Sequence, residues 1–112
     1  MQLREQMKVD LIEAMQARQS ATVATLRSVL AAIDNAEAVP VSTESTPPVE
    51  PVLGKRLEVP RKMLSVDDIR QIVQKEMDER QANSLKYAAL GRKAEAERLQ
   101  TAAALIAAYL HT

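Results

Sequence analysis

The stretch SVDDIRQIVQKEMDER, residues 65–80, decides the fold because it carries the clearest helix signal in the chain. Ser65 is followed three residues later by Asp68, a spacing that approximates a helix capping box with Asp in place of the usual Glu. Apolar residues then recur at the spacing of one helical face, at Val66, Ile69, Ile72, Val73 and Met77. Gly91 is typical of a C-terminal cap or of the turn into a following helix. We therefore predict a long helix that begins after Ser65 and ends near Gly91.

Three further segments show helical periodicity, over residues 3–18, 21–38 and 92–110. In chain order, their apolar faces contain Leu3, Met7, Leu11, Ala14, Met15, Leu26, Val29, Leu30, Ile33, Leu99, Ala102, Ile106, Tyr109 and Leu110. Ser20 is a suitable N-cap for the second helix of the chain, and Pro40 prevents that helix from continuing. No segment has a convincing strand pattern. The sequence thus predicts an all-α fold of four helices.

The connection between the second and third helices has a different composition. All five prolines lie between positions 40 and 60, and residues 41–52 read VSTESTPPVEPV. Such a segment cannot bury enough apolar surface to offset the entropy lost on ordering. We therefore predict that residues 39–64 form a flexible connector, a long Pro-rich loop, within a single domain of 112 residues.

The overall composition excludes several classes of protein. Apolar residues make up 46% of the chain, but 18 residues are Ala, and Tyr87 and Tyr109 are the only aromatic residues. A β-sandwich is disfavoured because it needs aromatic and β-branched residues in alternation. The lack of Cys excludes disulfides, thiol catalysis and cysteine-ligated zinc. No apolar stretch approaches the ~18–20 residues of a membrane span, so we expect no membrane partner and a cytoplasmic location.

The sequence offers little material for a catalytic or metal site. The sole histidine, His111, is the penultimate residue, and the chain has only two glycines with which to build a phosphate-binding loop. The acidic pairs Asp67-Asp68 and Asp78-Glu79 are sequence neighbours, which point ~100° apart on a helix. We therefore expect no catalytic residue, no metal site and no cofactor.

Three charged residues are placed near the predicted packing faces. Glu76 and Arg80 fall within the apolar face of the third helix and have the acid-to-base order that favours an i, i+4 pair. Arg27 flanks the apolar stripe of the second helix and could reach Glu76 if the two helices pack. We interpret Arg27, Glu76 and Arg80 as a structural polar layer that fixes helix register. The alternative is a pair of arginines that binds an anion at the edge of the bundle.

A second basic feature surrounds Gly91. Residues 1–50 carry a net charge of −3 (four positive, seven negative), whereas residues 51–112 carry +3 (eleven positive, eight negative). The residues that could bind RNA phosphates or a partner are Lys86, Arg92, Lys93 and Arg98 beside Arg80 near the hairpin, and Lys55, Arg56, Arg61 and Lys62 in the connector. The residues alone favour the other interpretation, an ordinary solvated face, since no aromatic stacking platform is expected to accompany them.

A set of segments in both halves of the chain has a familiar order and spacing. These segments are VDLIEAM (9–15), TLRSVLAAI (25–33), Ala36-Glu37, LSVDD (64–68), Lys75-Glu76, Arg80, Tyr87, Gly91-Arg92, Ala94-Glu95 and Ala108-Tyr109-Leu110. Together they resemble the GatB/YqeY family of YqeY-like proteins. The resemblance covers nearly the whole chain outside residues 39–63. Family members commonly continue with a second C-terminal helical module, which is expected to be absent here because the sequence ends at His111-Thr112.

The resemblance implies a fold and a function. The family's helical fold is related to the tail region of the GatB component of the glutamine-dependent aminoacyl-tRNA amidotransferase, a region implied to help engage tRNA. We therefore expect a non-catalytic accessory module in tRNA metabolism, with tRNA or a tRNA-handling protein as partner and no DNA. A protein-interaction or scaffold module is the alternative. Carbon–nitrogen ligase activity with glutamine as amido-N-donor, the label that the family carries, is the third reading, and the oligomeric state is left open.

Overall fold

The structure is a computed structural model of the chain, and it describes residues 2–38 and 63–111. It contains four α-helices, α1 (Leu3–Gln16), α2 (Ser20–Ala38), α3 (Val66–Ala89) and α4 (Lys93–Leu110). No strand occurs in those two ranges. The predicted all-α, four-helix fold is confirmed, whereas the predicted connector lies outside the described residues except at its end.

The start of α3 is fixed by a reciprocal cap. The Ser65 hydroxyl accepts a hydrogen bond from the Asp68 backbone N–H at 3.0 Å, and the Ser65 N–H donates to the Asp68 carboxylate at 3.0 Å. Two donors that would otherwise lack partners at the helix end are thereby satisfied. Asp67 and Asp68 also place negative charge in the first turn, where the helix dipole favours it. The capping box inferred from the sequence is therefore confirmed.

The two helical pairs are closed by the same type of turn. After α1, the Arg18 N–H donates to the Met15 carbonyl and the Gln19 N–H to the Ala14 carbonyl, which is the bonding pattern of a Schellman motif. Arg18 has φ 57, in the left-handed region. This conformation ends α1 at Gln16, two residues before the predicted end.

The turn after α3 repeats this pattern. The Gly91 N–H donates to the Ala88 carbonyl, and the Arg92 N–H donates to the Tyr87 carbonyl at 2.9 Å. Gly91 has φ 79, which Gly adopts without the steric cost of a Cβ. Gly91 therefore provides the turn between α3 and α4, as expected.

The start of α2 corrects one prediction. Ser20 is the first residue of α2 and not its N-cap, because the Gln19 carbonyl accepts the first helical hydrogen bond, from the Val23 N–H at 2.9 Å. The predicted cap is thus displaced by one residue, because the preceding Schellman turn already sets the direction in which the chain enters α2.

The four helices form two antiparallel hairpins. Arg4 near the start of α1 pairs with Glu37 near the end of α2, at 2.6 Å between Nη1 and Oε2. Arg70 near the start of α3 donates to the Leu110 carbonyl at the end of α4, at 2.6 Å. The α1–α2 and α3–α4 hairpins then pack on each other, since α2 contacts both α3 and α4, and α1 contacts α3.

One apolar core joins the two hairpins. Its buried residues come from every helix and are Met7, Leu26, Val29, Leu30, Ile33, Ile69, Val73 and Ile106. Leu64 packs against this core, although the sequence predicts it in the connector. Two residues assigned to apolar faces are exposed instead. Met15 lies at the end of α1 and Val66 at the start of α3, so neither is enclosed by the other hairpin.

Candidate functional site

Four of the basic residues singled out in the sequence gather at the end of the α3–α4 hairpin. We call this group the basic tip; it consists of Lys86, Arg92, Lys93 and Arg98, and all four are exposed. Lys86 lies in the last turn of α3, Arg92 at the N-cap position of α4, and Lys93 and Arg98 in the first turns of α4. The other four basic candidates, Lys55, Arg56, Arg61 and Lys62, lie outside the described residues.

Most of the positive charge at the basic tip has no hydrogen-bond or ion-pair partner within the described residues. Lys86, Lys93 and Arg98 make no hydrogen bond or ion pair within the described part of the chain. Arg92 has a partner, since its Nη2 lies 3.5 Å from Glu95 Oε1. Residues 81–98 carry four positive and two negative charges, a net +2. The tip therefore presents an excess of positive charge to solvent.

The position of two of these cations is unfavourable for helix stability. Arg92 and Lys93 lie at the N-terminus of α4, where the helix dipole disfavours positive charge. No side chain caps this end of the helix, so the first backbone N–H groups of α4 are left without a side-chain acceptor among the described residues. The stability of this end of α4 therefore does not explain the position of Lys93, whereas the charge of Arg92 is partly offset by its ion pair with Glu95.

Tyr87 adds an aromatic ring to the basic tip. The guanidinium carbon of Arg92 lies over the Tyr87 ring, 5.5 Å from its centroid, which is cation–π geometry. Tyr87 itself is half-buried. The expectation that no aromatic platform accompanies the basic residues is therefore corrected. A sequence signal existed, because a Tyr five residues before an Arg, with a Gly turn between them, is brought back to that Arg by the turn.

A cleft opens beside Tyr87, between α2 and the α3–α4 hairpin. It has a volume of about 370 Å³. Its lining includes Thr25 from α2, Arg80 and Tyr87 from α3, and Arg98 and Ala102 from α4. A second cleft of about 340 Å³ adjoins it, since Thr25, Arg98 and Ala102 line both. We call the pair the α2–α4 cleft.

Arg80 is committed to structural contacts at the side of this cleft. Its Nη1 donates to Glu76 Oε1 at 2.9 Å, and its Nη2 donates to the Ser28 hydroxyl at 2.9 Å. The side chains of Arg80 and Glu76 are only 15% and 17% exposed. Arg80 therefore joins α3 to α2, and its guanidinium is not available to a ligand in the way that the Arg98 guanidinium is.

Arg27 does not belong to this polar layer. Its side chain is exposed, and its hydrogen bond goes to Met15 Sδ at 3.8 Å. Ser28, the next residue along α2, occupies the position opposite Arg80. Neighbouring residues on a helix point about 100° apart, and the Ser28 side of α2, not the Arg27 side, faces Arg80. The layer consists of Ser28, Glu76 and Arg80.

Another groove lies at the opposite end of the α3–α4 hairpin, where polar side chains hydrogen-bond to other groups of the protein. It has a volume of about 860 Å³ and is bordered by Asp10, Arg70 and Tyr109. The Tyr109 hydroxyl donates to Asp10 Oδ2, and Arg70 donates to the Leu110 carbonyl. Burial raises the pKa of Tyr109, and the hydrogen bond to the Asp10 carboxylate raises it further because both favour the neutral phenol. This groove therefore offers a ligand fewer uncommitted polar groups than the basic tip does.

The described residues contain no group of three or more His, Cys, Asp or Glu that could hold a metal ion. Within the same ranges, none of the helices has the length and apolar character needed to cross a membrane.

Comparisons with protein-family models, with curated proteins and with solved structures give no match for the chain. The interpretation of the site therefore depends on its own geometry and charge, and the GatB/YqeY resemblance stays a prediction.

Proposed function

We propose that the chain is a non-catalytic helical module that contacts RNA through the basic tip, with tRNA as the class of RNA implied by the resemblance to the GatB/YqeY family. The observation that carries this proposal is the set of exposed cations around the uncapped N-terminus of α4. Three of them, Lys86, Lys93 and Arg98, have no partner within the described residues. The module would act as an accessory in tRNA metabolism.

Phosphate is the ligand chemistry that best fits these cations. Backbone N–H groups at a helix N-terminus donate to anions, and the helix dipole adds to the attraction. Lys93, which has no partner among the described residues, would gain a counterion there, and Arg92 would gain a second one besides Glu95. The tip lies at the end of a hairpin rather than in a deep groove, so only a few phosphates can be reached. Binding is therefore expected to be weak and to show little sequence preference.

The test is a titration of labelled tRNA with the full-length protein at several salt concentrations. With about three or four phosphates neutralised, the logarithm of the association constant should fall with the logarithm of salt concentration with a slope of about −2 to −4. The double variant Arg92→Glu/Lys93→Glu should weaken binding to all tRNA species alike and flatten the slope by about 1 to 2. The matched control, Lys8→Glu/Lys75→Glu, makes the same change in net charge at exposed positions away from the tip and should retain most of the binding.

Two results would count against the proposal. Equal loss of binding in both double variants would mean that only net charge matters and that the tip is an ordinary solvated face. Failure of the wild-type protein to bind tRNA at low salt would remove RNA contact as the function.

A protein-interaction module is the second candidate, and one observation favours it. Val9, Ile12 and Met15 are 39%, 57% and 48% exposed and follow each other along α1 at intervals of three residues. An apolar row of this kind is suited to a partner helix or sheet. Binding through it should be insensitive to salt and to Arg92→Glu/Lys93→Glu, and should be lost in Ile12→Glu.

A further inference from the structure

The α2–α4 cleft has the size and composition of a site for a small planar ligand. Its first part, about 370 Å³, is at the lower end of the ~300–1,000 Å³ typical of small-molecule sites. Ala102 and Leu99 from α4 give it an apolar wall, and Thr25 contributes from α2. A double helix cannot enter a space of this size, whereas a single base can.

Tyr87 brings an aromatic ring to the lining of this cleft. Arg92 lies over the ring, at 5.5 Å from its centroid, and Tyr87 also lines the cleft. Arg92 is not among the residues that line the cleft, so its guanidinium does not fill the space beside the ring. A nucleobase that enters would stack on Tyr87, an interaction that is tolerant of sequence because every base has a π-face.

Arg98 brings a positive charge to the cleft. It lines both parts of the α2–α4 cleft and has no partner among the described residues. The second part of the cleft adds the hydroxyl-bearing residues Thr22 and Thr101, which are suited to the sugar–phosphate. The cleft thus has an aromatic ring in one part, hydroxyl groups in the other and a guanidinium shared by both, which are groups typical of nucleotide recognition.

Two carboxylates also border the cleft and limit the affinity. Glu95 lines its first part and pairs with Arg92 at 3.5 Å. Glu97 lines the second part. Because these charges oppose a phosphate, a multiply charged ligand such as a nucleoside triphosphate fits less well than a nucleotide with a single phosphate. The cleft is therefore matched to one nucleotide unit.

We propose that the α2–α4 cleft binds one unpaired nucleotide, with its base stacked on Tyr87 and its phosphate at Arg98. This inference rests on the proposed function in one respect, namely that the nucleotide belongs to an RNA held by the basic tip. The same chemistry would also accept a free nucleoside monophosphate. The two sources are separated by the test below.

The experiment uses tyrosine emission, since the chain has two tyrosines and no tryptophan. In Tyr109→Phe the only tyrosine is Tyr87. Its emission is followed during titration with AMP, with a short single-stranded oligoadenylate, and with a blunt RNA duplex of the same length. Stacking should quench Tyr87 with the single-stranded RNA and not with the duplex.

The matched control is Tyr87→Phe, in which only Tyr109 emits. Tyr109 lies 17 residues after Arg92, about 25 Å further along the axis of α4. The Tyr109 emission should therefore fall only through the inner-filter effect, that is, because the nucleotide absorbs exciting light. This effect is the same for both variants, so it can be subtracted from the Tyr87 signal. In a binding assay with the oligoadenylate, Tyr87→Leu should weaken the affinity about 5- to 100-fold, and Tyr87→Phe should restore it because Phe retains the stacking face.

The possible outcomes separate this inference from the proposed function. The inference would be overturned if no ligand quenched the Tyr87 emission and if Tyr87→Leu bound oligoadenylate with the affinity of the wild-type protein. If tRNA binding were at the same time lost in Arg92→Glu/Lys93→Glu, the proposed function would stand alone. Quenching by AMP in a protein that does not bind tRNA would support the cleft as a site for a free nucleotide and overturn the RNA-contact function instead.

Discussion

Glu76 and Arg80 show how two charged residues can occupy the packing side of a helix. They lie one turn apart on α3, and the Arg80 guanidinium reaches both the Glu76 carboxylate and the Ser28 hydroxyl of α2. Because both side chains are mostly shielded from water, each needs the other to offset the cost of desolvation. The contact also fixes the position of α3 along α2.

We predict that this pair couples strongly in a double-mutant cycle. Glu76→Gln, Arg80→Met and the double variant should give a coupling of about 1–3 kcal/mol in chemical denaturation, because a single change leaves a shielded charge without its counterion. The control is Lys75–Glu79 on the same helix at the same spacing, with side chains 75% and 53% exposed and 4.0 Å apart. That pair should couple by less than about 0.5 kcal/mol. Equal coupling in the two pairs would contradict a structural role for the polar layer.

The sequence could predict only part of the residue-scale arrangement. The spacing of Glu76 and Arg80 is local and visible in the sequence, whereas the choice of Ser28 over Arg27 depends on which face of α2 is turned toward α3. The hydrogen bond between Tyr109 and Asp10 joins residues 99 apart, and the Arg4–Glu37 pair joins residues 33 apart. No periodicity within one helix specifies such long-range pairs.

At the scale of elements, the two hairpins use one turn geometry with two different residues. Both turns need a residue in the left-handed region, and the chain has Arg18 at one and Gly91 at the other. A Cβ in this region costs roughly 1–2 kcal/mol in a non-Gly residue. A Cβ added at Gly91 would meet no atom within 4 Å, so the backbone alone determines the cost there.

We predict opposite effects of substitution in the two turns. Gly91→Ala should lower the free energy of unfolding by about 1 kcal/mol, because Ala must adopt positive φ. Arg18→Gly should raise the free energy of unfolding by about 0.5–1 kcal/mol. Gly relieves the strain of the positive φ, and part of this gain is lost because Gly has more conformational entropy in the unfolded chain. Arg18→Ala is the control, since it removes the charge and keeps the strain. If Arg18→Ala stabilised the protein as much as Arg18→Gly, the charge of Arg18 and not its backbone would be the cause.

Element boundaries illustrate which signals the sequence contains. The capping box at Ser65 and the turn at Gly91 are readable because their residue types are specific to those positions. The end of α1 cannot be read from the sequence in this way. Arg is uncommon in the left-handed conformation, and as a residue type that favours helices it gives no sign at position 18 that the helix has ended. The basic tip and its contact with Tyr87 follow from the sequence around Gly91. The α2–α4 cleft does not, because it requires the packing of α2 against the other hairpin.

At the scale of the molecule, the shared core determines how the two hairpins behave together. Ile106 of α4 is completely buried in the same cluster as Val29 and Ile33 of α2. The basic tip lies outside this cluster, where Leu85 and Leu90 are 74% and 71% exposed. The hairpins should therefore unfold as one cooperative unit, with the tip opening more readily than the core.

Hydrogen exchange of backbone amides can test this cooperativity. Ile106→Val removes one buried methyl group and should lower the free energy of opening by about 0.5–1.5 kcal/mol. In a single cooperative unit, the amides of Val29 and Ile33 in α2 should lose as much protection as the amides around position 106 in α4, although the substitution lies in the other hairpin. Leu85→Ala, an exposed change on α3, should leave the core amides unaltered. If Ile106→Val lowered protection only within α3 and α4, the two hairpins would be separate folding units, and the α2–α4 cleft between them would not be a preformed site.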